Sequence, residues 1–133
     1  MTADNLPQLT DIKLHQQSKT LELGYANGER YTLSAEYLRV YSPSAEVQGH
    51  GPGQAVLQTG KMHVAITALE PVGNYAIQPT FSDGHDSGIF TWPYLYELAT
   101  SHDTKWQLYL HQLHEAGATR DPQLQVVKLW DGG

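Results

Sequence analysis

Two polar segments hold the side chains best suited to chemistry. Glu46 and His50 lie in residues 42–54, and Asp83, His85 and Asp86 lie in residues 82–88. Imidazole nitrogens with carboxylate oxygens suit zinc, iron(II) or manganese, and two histidines with one carboxylate would make the facial triad of non-haem iron enzymes. The spacing argues otherwise. A facial triad sets one histidine and the carboxylate two residues apart on a strand, and His85 is followed by Asp86, Ser87 and Gly88 instead. The favoured reading is a pair of ordered turns in which Ser82, Asp83 and Ser87 bond the backbone.

Gly49, Gly51 and Gly53 around His50 expose backbone N–H groups that could cradle an anion. No lysine followed by serine or threonine closes this stretch, so it is not a P-loop, and it does not open a helix after a strand as a dinucleotide fingerprint does. Tight turning is the better use of these glycines. His111 and His114, three apart on one helical face, fit a solvated surface better than a chelate. No Gly-x-Ser-x-Gly elbow accompanies the serines. An enzyme therefore has no local motif to support it.

The totals are those of an ordinary folded domain. A chain of 133 residues suits one domain, and 40% hydrophobic with 17% charged residues separates it from disordered sequences. A net charge of -6 argues against nucleic acid and against anionic membranes as partners. With no cysteine, the chain alone offers neither disulfides, nor thiolate catalysis, nor thiolate-held metals. The first residues lack the basic and apolar regions of a signal peptide, and no apolar run is long enough to span a bilayer, so a cytoplasmic protein is expected.

The elements that must position the polar segments follow from periodicity. Residues 8–14 and 20–25 alternate as strands, Asn27-Gly28 marks a tight hairpin turn with positive φ at both central residues, and residues 30–33 return. Ser34 caps a short helix over Ala35–Val40 that ends at Ser42-Pro43. Residues 63–69 and 75–81 read as strands around a turn at Pro71 and Gly73-Asn74, with Pro79 marking an edge or bulge, and residues 88–91 as a last short strand. His15 and His63 sit on these strands without a motif. Thr91 and Pro93 start a helix, Asp103 restarts it near a structural His102, and Trp106, Tyr109, Leu110 and Leu113 give it an apolar stripe that Gly117 ends. An apolar run at 126–130 is either a docked strand or a loose tail. The expected fold is α+β, with small antiparallel or mixed sheets, a short helix after the first hairpin and C-terminal helices. The expected organisation is a flexible N-terminus over 1–7, one domain over 8–117 and a tail over 118–133.

Residues 37–54 (YLRVYSPSAEVQGHGPGQ) and 81–92 (FSDGHDSGIFTW), followed by Tyr94-Leu95, together resemble the small bacterial proteins of unknown function grouped as DUF971. The same domain is known as the gamma-butyrobetaine hydroxylase-like N-terminal domain. The resemblance spans roughly residues 8 to 99. In the eukaryotic hydroxylases it implies a structural zinc held by three cysteines and one histidine, at positions that fall on Ser42, Ser44, Val47 and His85. Only His85 keeps a ligand here, and serine or valine cannot replace a thiolate on zinc. The dioxygenase domain that would carry hydroxylase activity is absent from this sequence. A related domain, fused to plastid P-loop scaffold proteins that handle iron–sulfur clusters, implies an accessory role near such proteins, by analogy of fold alone.

The expected function is a non-catalytic binding or adaptor module with a protein partner and no cofactor. Its surface would comprise Arg39, Ser42, Ser44, Glu46, His50, His85 and Trp92. The alternative is a metal-binding accessory protein for iron or iron–sulfur maturation, using His85, His50, Asp83, Asp86 and Glu46 on zinc or iron.

Overall fold

The computed structural model describes residues 6–49 and 53–124. His50 and the apolar run at 126–130 lie outside the described residues. Two three-stranded antiparallel sheets and four helices make an α+β fold. The first sheet is ordered β1 (Leu9–His15), β2 (Thr20–Tyr25), β3 (Arg30–Ser34). Alternation along β2 and β3 turns Leu21, Leu23 and Leu33 inward, while Glu22 faces His15 and Arg30 on the other face. The β2–β3 turn departs from expectation. Asn27 keeps negative φ and Gly28 alone is left-handed (φ 92°), with Tyr25 N–H bonded to Glu29 O. This is the three-residue hairpin loop, and the Asn27 carboxamide oxygen stabilises it by accepting from Glu29 N–H.

The short helix α1 (Ala35–Val40) starts where Ser34 Oγ accepts from Tyr37 N–H, and all six of its residues are buried. The residues after it were expected to be irregular, but Ala45–Gln48 form one helical turn, α2. Ser44 sets its N-terminus, and the buried Val47 holds it against the domain.

In the second sheet, β4 (Ile66–Val72) pairs with β5 (Ala76–Phe81), and β5 with β6 (Phe90–Thr91). Residues 61–64 turn before β4 begins, so His63 lies in a turn rather than on a strand. Pro71, expected in a turn, lies on β4 opposite Ile77. Pro79 sits in the central strand, yet β6 meets β5 only at Ala76 and Ile77. At Pro79 the strand is an edge on that side, and the missing N–H costs no ladder bond.

Thr91 caps α3 (Trp92–Thr100) by accepting from Tyr94 N–H. The following helix, α4 (His102–Ala116), is preceded by Ser101, so Asp103 lies inside its first turn rather than capping it. Gly117, left-handed at φ 66°, ends α4. The core gathers the inner faces of both sheets with α1 and α3 around Tyr37, Phe81, Phe90, Leu95 and Leu98, and a smaller cluster of Val40, Tyr109 and Leu113 seats α4. Tyrosine hydroxyls join the helices through carbonyls: Tyr37 to Leu98 (2.7 Å), Tyr94 to Tyr41 (2.6 Å) and Tyr41 to Lys105 (2.6 Å). None of the described helices is long and apolar enough to cross a membrane.

Candidate functional site

The two polar segments meet. His85 is 7% exposed, and its ring bridges them. Nε2 lies 2.9 Å from Ser42 Oγ and 3.3 Å from Ser44 Oγ, while Nδ1 lies 2.9 Å from a Glu46 carboxylate oxygen. A carboxylate only accepts, so Nδ1 carries the proton and donates to Glu46, which leaves Nε2 to accept from the Ser42 hydroxyl. The same Glu46 oxygen accepts from Ser87 Oγ at 3.0 Å.

Local sequence explains the approach. α1 ends at the Ser42-Pro43 bend, whose Ser42 carbonyl accepts from Gln48 Nε2, and α2 then turns Glu46 back towards the histidine. In the second segment Gly84 at φ 92° allows the tight turn in which Phe81 N–H bonds His85 O. Gly88 makes the contact between segments possible, since a Cβ there would overlap Ser42 Oγ and press on Pro43.

A second tie runs alongside. Asp83 accepts from Arg39 Nε (2.9 Å), Lys61 Nζ (2.6 Å) and the His85 amide (3.2 Å), and Arg39 also reaches Gln58 Oε1 at 3.0 Å. Burial pushes the Asp83 carboxyl up, but the Lys61 and His85 hydrogen bonds and the Arg39 charge outweigh it and hold its pKa at about 2. For His85, burial and then the Arg39 charge lower the imidazole below its usual range, against the opposing pull of Glu46 and Asp83. The buried ring is thus held neutral.

Ser42, His85 and Glu46 stand in the order of a hydrolase triad, but Ser42 has no exposed surface. A nucleophile must meet its substrate, and this hydroxyl meets only Nε2, the Ser44 amide and the second segment. The arrangement can tie two segments together and orient Glu46. It cannot attack a carbonyl.

Of the residues singled out from sequence, Arg39, Ser42, Ser44, Glu46, Asp83 and His85 are gathered here. Asp86 is exposed, and its backbone carbonyl accepts from Gln78. Trp92 lines a separate groove beside β1, its indole N–H bonded to Asn74 O at 2.8 Å. Among the described residues no group of three or more histidine, aspartate or glutamate side chains is placed to hold a metal. Nor does the donor set around His85 fit a three-thiolate zinc site: Ser42 and Ser44 offer hydroxyls, and Val47 offers none. Lys61 and Gln58 were not foreseen, because no local pattern links them to residues 19 or more positions away.

The segment also borders an apolar groove of about 360 Å³, lined by Val40, Val47, Gln48, Leu57, Leu108 and Tyr109. At its rim Val56 is 55% exposed, and Leu108 is about as open.

A family described as gamma-butyrobetaine hydroxylase-like, N-terminal, matches residues 12–96. The chain is 54% identical to a protein whose NMR solution structure superposes with a TM-score of 0.79, covering 94% of this chain and 98% of the other. A second NMR solution structure shares 46% identity with a TM-score of 0.75, over 95% of this chain and 94% of its own. The crystal structure of a protein of unknown function from Acidithiobacillus ferrooxidans, of the DUF971 family, shares 40% identity with a TM-score of 0.58, covering 69% of this chain and 92% of that one. No curated protein matches the chain.

Proposed function

This chain belongs to the gamma-butyrobetaine hydroxylase-like, N-terminal family, and we propose that it acts as a non-catalytic binding module that docks a protein partner. One observation carries this reading. The side chains with the chemistry to react, Ser42 and His85, are buried and bonded to one another, so they brace a surface instead of presenting a site. The outward-facing parts of the braced segment are the Glu46 side chain, 70% exposed, and the apolar groove beside α2 with Val56 and Leu108 at hand. An exposed apolar patch suits a protein partner better than a small polar substrate.

The alternative, an accessory protein for iron or iron–sulfur maturation, would need further ligands around His85. Asp83 is engaged by Arg39 and Lys61, and Glu46 by His85 and Ser87. These bonds favour the docking reading. The test is affinity capture with wild type and with the exposed-site variant Val56→Asp/Leu108→Asp. Partners that co-purify with wild type should be lost from the variant while its thermal unfolding is unchanged. Recovery of the same partners with both proteins would show that this face is not the docking surface.

A further inference from the structure

The docking face carries a main-chain edge that nothing pairs. Residues 54–59 run without helix, turn or bend between Gly53 and Gly60, both at positive φ. One side of this run is fixed to the domain. Val56 N–H bonds Val47 O of α2 at 2.7 Å, and Gln58 O accepts from the Tyr109 hydroxyl of α4 at 2.7 Å. Main-chain groups of a straight run point alternately to opposite sides, so Ala55 and Leu57 turn theirs the other way. Among the described residues, no N–H or C=O of Ala55 or Leu57 meets a hydrogen-bond partner. Gly53 to Val56 are exposed and Leu57 is half-buried, so the run lies at the surface.

Composition selects what can pair there. Open strand edges are usually blunted by charge or proline, as β1 is by Asp11 and Lys13, and β4 by Glu70 and Pro71. Between Gly53 and Gly60 there is neither a charged residue nor a proline. The adjoining groove likewise has no charged side chain in its lining. A charged segment would find no counter-ion here, whereas a neutral one matches the surface and loses less on leaving water. A helix spends its own main-chain groups internally, but an extended segment can offer them to Ala55 and Leu57. Granted the docking reading, we propose that the partner lays an extended, uncharged segment beside residues 55–57, held by main-chain hydrogen bonds to Ala55 and Leu57. Its side chains flank Val56, 55% exposed, as cross-strand neighbours.

Acetyl-Thr-Val-Thr-Val-amide, neutral and prone to extend, is the probe. Its control carries methyl groups on the two central amide nitrogens, one facing each edge. Titrated into the full chain, the probe should give saturable NMR shifts at the Ala55 and Leu57 amides and slow their hydrogen exchange. The Val56 amide, already bonded to Val47, should keep its rate. The methylated control should bind about tenfold more weakly, the worth of one to two neutral hydrogen bonds. Ala55→Pro removes an N–H that bonds nothing in the free protein, so it should weaken the probe roughly three- to tenfold and leave thermal unfolding unchanged. No saturable shift at residues 55 and 57, equal binding of the control, or undiminished binding by Ala55→Pro would each overturn the strand pairing. Loss of co-purifying partners from Val56→Asp/Leu108→Asp would then still uphold the docking face. Partners retained by that variant, with the probe pairing at 55–57, would overturn docking alone.

Discussion

Replacing Ser42, Ser44 and Val47 together with cysteine should give a protein that binds one zinc ion per chain. Ser42 and Ser44 already bring their hydroxyls to 2.9 and 3.3 Å from His85 Nε2, and Val47 is buried in the turn that follows. These four positions correspond to the three cysteines and one histidine that the family resemblance implies. Thiolates in place of hydroxyls and an isopropyl group would supply the missing ligands. Structural zinc contributes about 10 kcal/mol or more to small zinc-bound folds, so a large rise in the thermal midpoint should accompany the metal and vanish with a chelator. Adding His85→Ala should remove the zinc. A triple variant that folds in zinc-replete medium yet contains no stoichiometric zinc would show that the segment no longer holds the geometry of its relatives.

Arg120→Ala should be the most damaging single substitution outside the hydrophobic core. Its guanidinium grips Glu36 through two parallel bonds of 2.7 Å and stacks on Trp106 at 5.2 Å. Glu36 is buried on α1, so removing its partner strands a charge. Stranded buried charges cost 3–5 kcal/mol, and the partial exposure of Arg120 puts this one at about 3 kcal/mol. For a domain of this size that is a fall of about 10 °C in midpoint. Adding Glu36→Gln should recover part of the loss, because no charge is then left behind. A variant within about 1 kcal/mol of wild type in denaturant unfolding would mean that Glu36 finds water when its partner goes.

The contrast between these two sites shows what could be read from the chain alone. Helix α1 was legible to the residue, because Ser34 as cap and Pro43 as stop act locally. The contact of the two polar segments was also legible, through their shared glycines and serines and the family they resemble. Turn α2 was hidden, because four residues between proline and glycine show no helical period, and burial of Val47 rather than propensity holds them. The Glu36–Arg120 pair was equally hidden, its members being 84 positions apart with no motif at either. It ties the segment after Gly117 to α1, helped by backbone bonds from Gly60 to Thr119 and from Met62 to Arg120. Turn residues such as Asp121-Pro122 report local geometry and not docking, so this tie had no signal in the sequence.

His85 acts as a closed, neutral strut between the two polar segments. A depressed folded-state pKa means that the unfolded chain takes up the proton first. The stability this ring contributes is therefore full above about pH 6.5, the ordinary histidine value, and is lost as pH falls through the lower folded value. The most direct test is the long-range proton–nitrogen NMR spectrum of the His85 imidazole between pH 8 and pH 5. A single neutral tautomer, with the proton on Nδ1 and Nε2 bare, should persist below pH 6.5. A ring that carries its proton on Nε2, or that titrates at or above 6.5, would contradict it and reopen the site to solvent and to chemistry.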